Sequence, residues 1–151
     1  MHNDLIEWTE INSDDDLRSL MDLSNHFCES VILSINYITS FDRRGRYEEG
    51  KVNSLLLTFY SEYIGKTELL FGSVQKFAFQ AGHECFPDYS GCYLNFHTDL
   101  MGKTRDDRLI LWADNTGFDP AQYYCEELNL KKRYVSYIIA RSLKWRLVKE
   151  N

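Results

Sequence analysis

Val31-Ile32-Leu33-Ser34-Ile35-Asn36-Tyr37 decides the fold class of this chain, because its apolar side chains recur at every second position. Val31, Leu33, Ile35 and Tyr37 share one parity and Ser34 and Asn36 the other, the pattern of a strand with one face in a core. The rhythm returns at Leu55, Leu57 and Phe59 against Ser54, Thr58 and Tyr60. It returns again at Cys92, Leu94 and Phe96 against Tyr93, Asn95, His97 and Asp99. Short apolar runs at 69–71, 74–79 and 109–113 predict further strands, the first two broken at Gly72-Ser73.

Upstream the period changes. Ser13 precedes Asp14, Asp15 and Asp16, a helix start in which a hydroxyl satisfies a free backbone amide and three carboxylates complement the positive end of the dipole. Leu17, Leu20, Met21 and Phe27 follow at helical spacing, so a helix is expected over about 14–27. A second, short helix is expected from Asp119-Pro120 to about Leu128, with Pro at its first position. Downstream, Val135, Tyr137, Ile139, Leu143, Trp145 and Leu147 share one parity, interrupted by Arg141. Either a bulge near Arg141 resets the register, or Arg141 points inward toward a carboxylate.

Several short strands, one leading helix and no βαβ rhythm predict an α+β fold, mainly an antiparallel β meander. The expected form is a curled sheet, or partial barrel or sandwich, with the N-terminal helix packed on one face. The 151 residues include only two prolines, no linker and no internal repeat, so one domain spanning 1–151 is expected.

Charge excludes several classes of function. With 17 basic and 23 acidic side chains the net charge is -6, which repels nucleic acid and anionic membranes and favours a basic protein partner. The opening Met1-His2-Asn3-Asp4 lacks the features of an export signal and no window resembles a membrane span, so a cytoplasmic location is expected. The four cysteines are then expected as free thiols, chiefly small buried hydrophobes. Nucleotide-binding glycine motifs are absent from the sequence; Gly65-Lys66-Thr67 matches the tail of a phosphate-binding loop without its upstream glycine.

Four constellations remain as candidate sites. His83, Cys85, Cys92 and His97 are zinc-ligand types within fifteen residues, and define an alternative reading as a metal-binding protein or zinc-assisted hydrolase. Against it, Cys92 and His97 differ in strand parity and should project to opposite faces. His26, Cys28 and Glu29 lie at the helix-to-strand junction, where they either close the helix end or pair a thiol with a base. The adjacent acids Asp106-Asp107 and Glu126-Glu127 diverge in direction and read as solvated. Tyr123, Tyr124, Glu126 and Glu127 combine aromatic and acidic side chains, a surface suited to a cationic partner, and define the preferred binding face.

The order of parts also carries a resemblance. A helix ends in Asn25-His26-Phe27-Cys28-Glu29-Ser30 and runs into the 31–37 strand; Leu55-Leu56-Leu57-Thr58-Phe59 and Leu69-Leu70-Phe71-Gly72-Ser73-Val74-Gln75-Lys76-Phe77 follow, and Ala140-Arg141-Ser142-Leu143-Lys144-Trp145-Arg146 closes the series. This resembles small bacterial β-rich domains that include immunity proteins of polymorphic toxin systems. Such domains often carry Phe-His-Asp at the junction, whereas here Phe27 is followed by Cys28-Glu29 and the His precedes it. The resemblance implies a cytosolic binding protein without catalysis; the net charge of -6 and the excess of aromatic residues add the expectation of an inhibitor that neutralises a basic protein partner, with no cofactor. A carrier of an apolar small molecule within a curled sheet is a third reading, and the oligomeric state is left open.

Overall fold

The computed structural model describes residues 7–41, 44–46, 51–79, 91–100, 107–114 and 136–149. Helix α1 spans Asp14–Leu23, and seven strands are formed by Thr9–Glu10 (β1), Ser30–Ile38 (β2), Ser54–Ser61 (β3), Gly65–Ala78 (β4), Tyr93–His97 (β5), Leu109–Ala113 (β6) and Tyr137–Leu147 (β7). All described pairings are antiparallel and build one sheet in the order β2-β3-β4-β7-β6-β5, with β1 paired to β7. The α+β class and the antiparallel sheet agree with the sequence pattern. The curl does not: the sheet is open. β7 enters between β4 and β6, and among the described residues β2 and β5 are the two edges, not paired with each other.

Alternation explains the core. Leu55, Leu57 and Phe59 of β3, Leu69 and Phe71 of β4, Ile138, Ala140 and Leu143 of β7 and Ile110 and Trp112 of β6 are all buried in one apolar cluster. Leu17, Leu20, Met21 and Phe27 belong to the same cluster. A second cluster holds Leu109, Leu111, Ala113, Tyr137 and Ile139, so β6 is buried on both faces, as its unbroken apolar run suggests. Rings cross the first cluster in van der Waals reach: Phe27 to Phe59 at 5.0 Å between centroids, Phe59 to Trp112 at 6.0 Å and Trp112 to Phe79 at 6.2 Å. Such tilted and edge contacts add to the burial of the rings themselves.

Three local expectations change. The helix stops at Leu23 rather than near 27, because Asn25, His26 and Phe27 adopt φ of 51°, 59° and 57°. Spacing alone does not reveal this left-handed turn. Ser24 stops the helix: its hydroxyl donates to the Leu20 carbonyl at 2.9 Å and its carbonyl accepts from Phe27 N–H at 3.0 Å. The helix start does form as read, with Ser13 Oγ accepting from Asp16 N–H at 3.1 Å.

In β2 the register shifts between Ile32 and Ser34, which makes Leu33 an extra, bulged residue. Ile32, Ile35 and Tyr37 therefore lie opposite the core residues Phe59, Leu57 and Leu55, while Leu33 is exposed. In β4 the two expected strands are one, because Gly72 continues the ladder opposite Ser142, where a side chain at 72 would overlap the Ser142 hydroxyl. Nearby Ser73 has φ of 50° and Gln75 is bulged; across the ladder, β7 exchanges faces between Ala140 and Leu143. Arg141, at that exchange, is exposed and ion-pairs with Asp107 rather than turning inward. The expected helix at 119–128 lies outside the described residues.

Candidate functional site

The left-handed turn after α1 shapes a groove. Non-glycine residues at positive φ cost about 1–2 kcal/mol each, and three in succession require compensation. It comes from Phe27, which is fully buried, and from the His26 carbonyl, which accepts the Cys92 N–H at 2.6 Å. That bond fixes the start of β5 beside the end of α1.

Between α1 and β5 opens a groove of about 680 Å³. Leu17, Met21 and Leu94, all buried, form its apolar floor together with Cys92. Asp14, Arg18, Asp22 and His26 line the helix side, and Tyr93 and Asn95 the strand side. Asp14 lies 3.8 Å from Arg108, and Arg18 ion-pairs with Asp15 at 2.8 Å. Over the apolar floor the rim thus carries two carboxylates, Asp14 and Asp22, together with the cation Arg18 and, beside Asp14, Arg108.

Cys92 contributes packing rather than reactivity. Burial pushes its thiol far above the ordinary value; the neighbouring Trp112 side chain offsets part of this, and Asp114 adds to it. The Trp112 indole N–H is buried with no hydrogen bond of normal geometry, so it acts on the thiol as a nearby dipole rather than as a bonded donor.

His97 lies on the opposite face of β5. Its Nε2 is 2.6 Å from Tyr93 Oη, with the two rings stacked at 5.9 Å, and its Nδ1 is 3.9 Å from Asp99. Desolvation lowers the His97 pKa, and Asp99 counteracts it in part. With the proton on Nδ1, toward Asp99, Nε2 accepts from the tyrosine hydroxyl.

The structure thus separates Cys92 from His97, as strand parity requires, and their zinc-type partners His83 and Cys85 lie outside the described residues. Among the described residues no group of three or more His, Cys, Asp or Glu side chains converges. At the junction, Cys28 Sγ accepts from Asn25 Nδ2 at 3.1 Å and not from the exposed His26 ring. Tyr123, Tyr124, Glu126 and Glu127 lie outside the described residues. The groove residues were missed because α1 and β5 are distant in sequence, although Asp14, Arg18 and Asp22 recur at i, i+4 and i+8, the spacing of one polar helix face.

Comparison with protein-family models, with curated proteins and with solved structures gives no match. No described helix is long and apolar enough to cross a membrane.

Proposed function

We propose that this protein is a non-enzymatic binding module, an immunity-type inhibitor that takes up a basic protein partner, with α1 packed over the core face of the sheet. The observation that carries the reading is the groove between α1 and β5, with its apolar floor and its rim carboxylates Asp14 and Asp22. The net charge of -6 supports it by steering a cationic partner toward the molecule. The Tyr123, Tyr124, Glu126 and Glu127 face extends the same acidic, aromatic chemistry in sequence.

The test is a titration with an arginine- and lysine-rich peptide at low and high salt, read by intrinsic fluorescence. Affinity falls with salt, and Asp14→Lys with Asp22→Lys together weaken it by at least about tenfold, the scale of two charge pairs. Charge reversal at Glu126 and Glu127 in a separate variant reports on the second face. Salt-independent binding, or binding unchanged in both variants, rejects an acidic recognition surface.

A further inference from the structure

β2 is an edge strand of unusual character. Among the described residues it is paired only to β3, and its nine residues, Ser30–Ile38, include no Lys, Arg, Asp, Glu or Pro. Edge strands are ordinarily blunted by such residues, because free amides and carbonyls recruit another strand. Here Leu33, Ile35, Tyr37 and Ile38 are instead 52%, 40%, 39% and 46% exposed. The bulge at Leu33 ends the regular pleat and leaves Ser34 to Ile38 as a straight, five-residue segment.

We infer that this segment pairs antiparallel with the same segment of a second copy, about a two-fold axis through Asn36. The sequence is self-complementary in that register. Ile35 of each copy meets Tyr37 of the other on the core side of the sheet, an aromatic pair with a β-branched side chain that stabilises antiparallel ladders. On the other side Ser34 meets Ile38 and Asn36 meets its own symmetry mate. Every exposed apolar side chain in the segment gains an apolar or small neutral partner, and no like charges are brought together although each chain carries -6 overall. This is the isologous arrangement a two-fold dimer requires. The Tyr37 ring is already held against Phe77, 4.9 Å between centroids, so it loses little freedom on association. A ladder of five residue pairs falls below the usual interface size, under about 1,200 Å², so a dimer of micromolar strength is expected. None of the residues that line the groove belongs to the 34–38 segment.

Sedimentation velocity on the whole chain tests the dimer from about 5 to 200 µM, which brackets that strength. The wild type passes from monomer to dimer. Asn36→Lys places two ammonium groups on the axis and is monomeric throughout, as is Asn36→Asp, each with the far-UV spectrum of the wild type. Mixing the two variants restores the dimer, because a Lys-Asp pair replaces the like charges; a merely damaged fold would not be rescued in this way. A wild type that stays monomeric, a dimer that persists in Asn36→Lys, or a mixture that stays monomeric overturns the inference.

Discussion

Gly91 lies directly against the His26 carbonyl: a β-carbon at position 91 would overlap that oxygen, and the adjacent Cys92 N–H donates to it. The contact joins the left-handed turn to β5, and with it the two walls of the groove. Gly91 also has φ of +97°, a conformation that other residues adopt only with strain. Gly91→Ala is therefore expected to lose about 2–4 kcal/mol in urea unfolding, from backbone strain plus overlap. Gly45→Ala, at φ +79° with open space around it, isolates the backbone part and should lose about 1 kcal/mol. Equal losses at the two sites would show that the His26 contact contributes nothing.

His97 makes stability depend on pH. Its pKa is lowered in the folded state from the ordinary 6.5 by desolvation, so in the window just below 6.5 the unfolded chain binds more protons. The stability associated with the neutral ring is fully present above pH 6.5 and is lost as pH falls through the lower, folded value. His97→Gln should flatten the melting temperature against pH between about 7 and 5, the range in which imidazole titrates. If the slopes of wild type and variant coincide, the ring is not desolvated as described.

Cys92 is expected to resist alkylation. Full burial removes access and the raised pKa removes thiolate, the reactive form. Peptide mapping after iodoacetamide treatment should find Cys92 modified only in denaturant, whereas half-buried Cys28 is modified in the native protein. Native modification of Cys92 on the same timescale as Cys28 would contradict its place in the core.

Glu68 and Arg146 face each other across β4 and β7 at 2.7 Å, and the Arg146 guanidinium lies over the Trp8 ring at 4.1 Å. Both side chains are largely shielded, so the pair should exceed an ordinary surface ion pair. A double-mutant cycle with Glu68→Ala and Arg146→Ala is expected to give a coupling of about 0.5–2 kcal/mol in thermal or urea unfolding. Trp8→Ala should weaken that coupling, because the ring holds the guanidinium in place. A coupling of zero would make the pair decorative.

The strands were legible where a single face is buried without interruption. Leu55, Leu57 and Phe59 alternate strictly, and all three are core residues. Legibility fails at insertions. One extra residue at Leu33 moves Val31 off the face that Ile35 and Tyr37 occupy, and periodicity has no term for it. The left-handed turn at Asn25 to Phe27 escapes for a related reason, since it is stabilised by Cys92, whose place beside it depends on the strand order. The strand order and the groove are non-local in the same way, since β7 enters between β4 and β6 and the groove brings α1 beside β5.

That insertion also sets an order of events during synthesis. β7 is central in space but follows every other described strand in the chain, so the β2-β3-β4 and β5-β6 segments leave the ribosome before the strand that joins them. Until residues 137–147 arrive, β4 and β6 each present an open edge beside an uncovered apolar face. At the usual pace of about 5–20 residues per second this interval lasts seconds. The nascent chain is then a substrate for holding chaperones, and slowing translation just upstream of β7 should lower the yield of native protein far more than slowing it elsewhere.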